Sequence, residues 1–577
     1  MKKHILAITL AIGFSISSIA QNQLFIPDTL SGSVINLTVQ AGTTQFIGAN
    51  NTNTYGYNGN ILGPTLIIHK DDSVTLNVTN NINQPTTVHW HGFHISPHDD
   101  GGPHQLINLG VTWSPRIKMR NEASTFWYHP HGEAKTEMHV SKGLAGMIIV
   151  RDNVERNYTL PRTYGVDDFP IIVQSKVFDA FYNIAISTHE DSINMVNATI
   201  DPYLQVPKQV VRLRLLNGAS DRTYNFGLSD NSNFYLIGSD GGLLSAPHMT
   251  NRLRLSTGER AEILVDLSSY TVGQQIYLKS YASELPNGII GADSVGTAAL
   301  VMSEGYYDNP LNGADFNVLR LDIAPQTTNA VTTIPSNFTP KVPLTETNID
   351  AYRHIHLSGD TVTSGAMGNV DGPFLMNNTP FHMDSINVKT FLNNKEVWKL
   401  TNSSMVAHPF HIHDIQFYVL DINGMPPPPE YRGLKDVILV KPLDTIRFIT
   451  IFETFADNTV PYMYHCHLLH HEDDGMMHTF LVQTPDVGIN EYRNHNLSAN
   501  IYPNPTSDKL KIEFDQNDSE FFNFKITNSL GQIILEKNSI FNNTNSTEID
   551  LSNYFDGIYF IHLNSNKGSL SRKIIKR

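Results

Sequence analysis

The stretch His465-Cys466-His467-Leu468-Leu469-His470-His471-Glu472-Asp473-Asp474-Gly475-Met476 sets the only cysteine of a 577-residue chain among metal-binding side chains. Thiolate, imidazole and thioether together suit copper, and two histidines, one cysteine and a weak axial methionine make a blue-copper electron-transfer centre. Cys466, His471 and Met476 supply three of those four groups. A lone cysteine ordinarily behaves as a small buried hydrophobe, but its neighbours here argue for a ligand. Successive side chains on an extended strand point to opposite faces. His465 and His467 therefore look away from Cys466 toward a second centre, joined to the first through a few covalent bonds along which electrons can pass.

Three further motifs carry paired histidines: His89-Trp90-His91-Gly92, His129-Pro130-His131-Gly132 and His408-Pro409-Phe410-His411-Ile412-His413. Alternate spacing puts both imidazoles of a pair on one face of a strand. A single His-x-His is commonly a surface pair. Four of them, two near residue 100 and two between 408 and 467, imply one polynuclear site built from distant parts of the chain.

The elements that must hold these residues read as strands. Short runs rich in Val, Ile, Thr, Phe and Tyr alternate in polarity and are broken by Gly, Pro, Asn and Asp, the pattern of an all-β sandwich or barrel. Val74–Asn80, Val211–Asn217 and Val397–Asn402 share one sequence pattern, an internal repeat that implies three similar domains. His89 lies nine residues after Asn80 and His411 nine after Asn402, a place filled in the middle copy by Phe226; His91 and His413 correspond to Leu228. Apolar residues thus stand in the middle copy where its neighbours have histidines. The outer domains should face each other across the cluster, with the middle one as spacer and wall of the substrate site.

Taken in order, the four motifs resemble those of the multicopper oxidases over roughly residues 30 to 485, nearest to the bacterial laccase, cuprous oxidase and bilirubin oxidase-like group. The resemblance implies three cupredoxin-like Greek-key domains, expected over residues 21–160, 161–335 and 336–485. It further implies four coppers. His408, Cys466 and His471 would bind the type 1 ion with Met476 axial, and His89 and His411 the type 2 ion. His91, His129 and His467 would hold one type 3 ion, and His131, His413 and His465 the other. The implied activity takes single electrons from small-molecule or metal-ion reductants at the type 1 site and reduces dioxygen to water at the three-copper cluster. Glu472, next to His471, and Asp100, nine residues after His91, match acidic positions that the family uses to deliver protons. His94, His98, His104, His139, His470 and His478 match no ligand position, nor do Met463 and Met477.

Departures bear on the substrate. Residues 351 to 400 contain only Met367, Met376 and Met383, not the methionine- and histidine-rich insert common in cuprous oxidases, and Ser404 stands where that branch commonly has an acid. Phenols and aromatic amines are therefore favoured over Cu(I), Fe(II) or Mn(II). A copper-sequestering surface protein and a structural protein that has lost its metals are the other readings; the complete ligand set argues against both. A copper nitrite reductase would lack the His-Cys-His arrangement beside a trinuclear site.

Length fits several domains. A formal net charge of −15 argues against nucleic acid as a partner. Residues 1–20 combine Lys2 and Lys3, an apolar run too short to span a bilayer, and Ser18-Ile19-Ala20, which together read as a secretory signal. No later segment is apolar enough to cross a membrane. One cysteine allows no internal disulfide. An Asn- and Ser-rich linker, 486–498, precedes a β-rich segment, 499–577, with alternating Leu510, Ile512 and Phe514 and then Phe522, Phe524 and Ile526. With Gly557-Ile558-Tyr559-Phe560 and the basic end Lys573–Arg577, it resembles the C-terminal sorting domain of type IX secretion. That resemblance implies passage through the type IX machinery to the cell surface or the medium.

Overall fold

The computed structural model describes residues 21–186, 190–297, 306–359, 372–485, 499–514, 521–540, 546–565 and 568–577. The expected signal and linker, 1–20 and 486–498, and Met367 lie outside the described residues. Among the described residues the α-helices are short: Thr136–Ser141, Asn153–Arg156 and Leu469–Asp473. Nearly everything else that is regular is strand, as the alternating sequence requires, and no helix is long and apolar enough to cross a membrane. The chain divides into two compact units, Met1–Gln483 and Thr484–Arg577.

The larger unit contains three hydrophobic cores between pairs of sheets. Each repeat segment is a strand: Ser73–Asn80, Val210–Asn217 and Lys395–Asn402. Each runs parallel to the first long strand of its own region, with Asn80 opposite Val39, Asn217 opposite Val173 and Asn402 opposite Leu357. The asparagine then ends the strand in the same way three times. Its Oδ1 accepts the backbone N–H two residues on, from Ile82, Ala219 or Ser404, while its Nδ2 donates to two carbonyls, one four or five residues on and one at least 27 residues on. An Asx turn stops pairing and fixes the loop that follows.

Alignment by residue count slips by one in the middle copy. Val88 and Trp90 enter the first core and Phe410 and Ile412 the third, so His89, His91, His411 and His413 face away from those cores. In the middle copy Tyr224, Phe226 and Leu228 are the core side chains. Phe226 therefore corresponds to Trp90 rather than to His89; on a strand of period two, a slip of one residue exchanges the faces.

The smaller unit packs two sheets on a separate core that includes Leu510, Ile512, Phe524, Ile526 and Ile561. The expected alternation holds at those positions; the side chains of Phe514 and Phe522 lie outside the described residues.

Candidate metal centre

The strand Tyr462–Cys466 pairs with His408–Ile412 on one side and Met477–Gln483 on the other, with His411 opposite His465 and Phe410 opposite Cys466. Cys466 enters the third core, while His465 faces the first region of the chain. Two sites result from one alternating strand.

On the core side, Cys466 Sγ lies 3.6 Å from His408 Nδ1 and 3.5 Å from His471 Nδ1, and the two nitrogens are 3.2 Å apart. Met476 is fully buried; its carbonyl accepts the Cys466 N–H and its own N–H donates to the His471 carbonyl. Ser404 sits 2.7 Å from His408 Nε2 and fixes that ring. Phe374 packs on both imidazoles, at 4.7 and 4.3 Å between ring centres.

On the other side eight histidines converge, all essentially inaccessible to solvent. Their donor atoms group as His91 with His129 and His467, as His131 with His413 and His465, and as His89 with His411 and His413, each within 4.8 Å. Outer partners decide which nitrogen of each ring carries hydrogen. Nδ1–H of His89 donates to the Asp100 carbonyl at 2.8 Å, that of His411 to the Asp436 carbonyl at 2.8 Å and that of His129 to the Pro130 carbonyl at 2.8 Å. His413 Nδ1–H donates to Asp100 Oδ2 at 2.7 Å. Glu472 lies between two rings, 3.2 Å from His131 Nδ1 and 3.1 Å from His465 Nδ1.

Lone pairs are thereby turned inward. His131 Nε2 and His465 Nε2 face each other at 3.2 Å, and His413 Nε2 and His465 Nε2 at 3.4 Å. Nε2 of His89 and His411 and both nitrogens of His467 are buried without a hydrogen-bond partner. Facing lone pairs repel, and buried unsatisfied acceptors are costly. Cations among them relieve both penalties, so the donor set fits copper.

Protonation follows the same logic. Burial, and then the neighbouring cationic forms, hold His91, His129, His131, His411 and His467 well below the usual imidazole range. Burial likewise depresses His408 and His413 to about 3, in the second case against the pull of Asp100. Neutral imidazole is the form that binds metal. Burial acts to raise Asp100, but His413 and His89 outweigh it and keep the carboxyl well below its ordinary range. Burial pushes the Cys466 thiol well up.

All the histidines expected as ligands, with Cys466, thus fall into these groups, and Glu472 and Asp100 touch their outer edges. The histidines read as non-ligands make other contacts: His94 with Asp414, His98 with Asp457, His104 with the Met383 carbonyl, His139 with Thr86, His470 with Asp221 and His478 with Tyr464. Sequence reasoning missed the part played by the middle region, which is more than a spacer. Thr257 Oγ1 donates to the His467 carbonyl, and Gly258, at φ +81°, approaches so closely that a Cβ would lie 2.8 Å from His467 Cδ2. Arg260 pairs with Asp436, itself 3.3 Å from His91 Nε2. No local pattern marks Ser256-Thr257-Gly258-Glu259-Arg260 as part of a metal site; only the tertiary fold brings it there.

Family models described as multicopper oxidase match residues 38–155, 181–305 and 352–486, and one described as a secretion system C-terminal sorting domain matches 500–577. The multicopper oxidase mco of Staphylococcus haemolyticus is 34% identical over 479 residues, covering 80% of this chain and 92% of that protein. The cell division protein FtsP of Dickeya dadantii is 30% identical over 481 residues, with 80% and 93% covered. The solved structure of the laccase-like multicopper oxidase CueO from Ochrobactrum superposes with a TM-score of 0.69 at 30% identity, covering 80% of this chain and all of that one. With three matching domains, a copper-compatible donor set and relatives aligned along nearly their full length, the chain belongs to the multicopper oxidase family, the laccase-like copper oxidoreductases that use dioxygen, and it carries a C-terminal type IX secretion sorting domain.

Proposed function

We propose that this protein couples one-electron oxidation of phenols and aromatic amines at a type 1 copper to four-electron reduction of dioxygen to water at a trinuclear cluster. One observation carries the reading: a thiolate-containing donor group and an all-histidine donor group lie on opposite faces of the strand Tyr462–Cys466. Bound copper supplies single-electron acceptance at the first group and storage of four electrons for dioxygen at the second.

His408, Cys466, His471 and Met476 would hold the type 1 copper. His89 and His411 are assigned to type 2. His413 is also within reach of that pair, but its Nε2 faces His465, which favours the type 3 set of His131, His413 and His465; His91, His129 and His467 form the other. The chain's own residues then have separable tasks. The strand backbone from Cys466 to His465 and His467 links the two groups. Glu472, between His131 and His465, and Asp100, on His413 and near His89, set carboxylates beside the oxygen-reducing side, where they can relay protons. On the electron-entry side, Ser404 stands on His408 where an acid would serve a metal ion, and Phe374 packs on both imidazoles, which suits organic reductants better than metal ions. The Ochrobactrum protein, with oxidase activity towards lignin model compounds and lignosulfonate, supports that choice. A metal-free structural role would not retain facing lone pairs among fully buried histidines. Domains at 21–160, 161–335 and 336–485, an exported chain and a surface or extracellular location complete the proposal.

The test is the absorption spectrum and oxygen uptake of the copper-loaded protein, on a phenol and on Cu(I). Wild type should show an intense blue band and a near-ultraviolet shoulder and should consume oxygen faster with the phenol. Cys466→Ser should lose the blue band and the uptake. Glu472→Gln and Asp100→Asn should keep the band and lose uptake by roughly 10²–10⁴-fold, the usual weight of a positioned proton donor. Full copper loading without a blue band or oxygen consumption would sink the proposal.

A further inference from the structure

Among the described residues the middle region contributes none to any donor group, yet one of its side chains is as deeply buried as the ligands. Arg260 opens the strand Arg260–Asp266, and Asp436 immediately precedes the strand Val437–Val440 of the third region. Neither side chain has accessible surface. They form a two-toothed fork, Nη1 to Oδ1 at 2.6 Å and Nη2 to Oδ2 at 2.7 Å. All five N–H donors of the guanidinium are used: Nε donates to the Thr125 carbonyl, the second Nη1 hydrogen to Gly258 and the second Nη2 hydrogen to Asp240. Asp240 in turn accepts the Arg260 and Asp436 backbone N–H groups and pairs with Lys435, which also reaches Glu259. Gly92, at φ +84°, leaves the space the fork occupies, since a Cβ there would lie 2.5 Å from Asp436 Oδ2 and 2.8 Å from Arg260 Nη2.

Asp436 touches two ligands in opposite senses. Its carboxylate receives His91 Nε2–H at 3.3 Å, so the bare nitrogen of His91 is Nδ1, turned toward His129 Nε2 at 3.4 Å. Its carbonyl receives His411 Nδ1–H, so the bare nitrogen of His411 is Nε2. The two rings stack at 3.8 Å with 9° between their planes, and either would present the wrong nitrogen if its partner were lost. We infer that Arg260 and Asp436 are positioning residues for the trinuclear cluster: Asp436 selects opposite donor nitrogens on His91 and His411, and Arg260 locks Asp436 in place, so that the middle domain sets the cluster's copper affinity. This rests on the copper assignment above, in which those two histidines serve different ions.

The experiment uses the full chain as wild type, Asp436→Asn, Arg260→Lys and, as a control, Arg222→Lys. Arg222 is equally buried and pairs with Asp191 at 2.8 Å, but belongs to no part of the site. Copper content under chelator competition, the blue band and the type 2 paramagnetic resonance signal are read together. Asp436→Asn keeps the side-chain shape, and Arg260 keeps Asp240 at 3.6 Å. It should retain the blue band, bind the cluster's copper roughly 10- to 100-fold more weakly, as mutation of an outer partner of a metal ligand generally does, and keep the type 2 hyperfine splitting of wild type, because the backbone carbonyl that holds His411 is untouched. Arg260→Lys, which keeps the charge but loses the fork, should fall between it and wild type. Arg222→Lys should match wild type in all three readouts. Unchanged affinity in Asp436→Asn, or equal losses in Arg222→Lys, would overturn the inference and leave the pair as a domain clamp. If Asp436→Asn does not fold, Arg260→Lys with a wild-type signal overturns it equally. Wild type without cluster copper overturns both this inference and the proposed function, whereas a normal wild type beside unperturbed variants overturns this inference alone.

Discussion

Single residues in this protein are set for metal by what surrounds them before any metal arrives. His91, His129, His131, His408, His411, His413 and His467 need no deprotonation, because burial already keeps them neutral at pH 7. Cys466 is the opposite case: burial raises its thiol, so at pH 7 it carries a proton that a copper thiolate cannot keep. Loading the type 1 site should therefore release one proton from the thiol. Calorimetric titration with copper in buffers of different ionisation enthalpy gives the release, and wild type should exceed Cys466→Ser by about one proton per chain, the one ionisable group the variant lacks. Equal release in the two would mean that Cys466 is not the ligand. The sign of the pH effect on the copper-free fold follows from the same histidines. Their folded values lie below the ordinary ~6.5, so the stability they lend is present above that value and is lost as pH falls from there toward the folded value of about 3 at His408 and His413.

Among the elements, those with a period proved easiest to read. The His-x-His spacing on strands, the Cys466 reversal and the repeat ending in Asn80, Asn217 and Asn402 are all local rules, and a sequence exposes local rules directly. The slip at Phe226 was hidden because a count of residues cannot tell which face of a strand meets the core. The loop Ser256–Arg260 was hidden for a different reason: its importance comes from distance to residues some two hundred positions away. Gly258 tests that loop. Its positive φ and the 2.8 Å approach to His467 mean that Gly258→Ala must either strain the backbone or push the imidazole aside. The expected result is a folded protein of reduced stability, by about 1–3 kcal/mol for a residue held in such a conformation, with an intact blue band and a weakened near-ultraviolet shoulder. An unchanged shoulder would show that the loop yields and does not support His467.

At the scale of the molecule, two units with separate cores carry unequal duties. Every donor group found among the described residues lies within Met1–Gln483, and the sorting segment has its own two sheets and core. Anything that binds the folded state alone stabilises it by RT ln(1 + [L]/Kd), about 4 kcal/mol at a thousand-fold excess over Kd. That stabilisation can reach only the unit that holds the ligands. Calorimetric melting of the full chain should accordingly show two transitions, and copper should raise one of them and leave the other where it was. A fragment ending at Gln483 should reproduce the copper-sensitive transition and the oxygen uptake, because among the described residues no donor atom and none of the buried charge network around Arg260 lies beyond that point. A single transition that moves as a whole, or a truncated chain that no longer binds copper, would mean that the sorting unit is part of the oxidase fold and not its passenger.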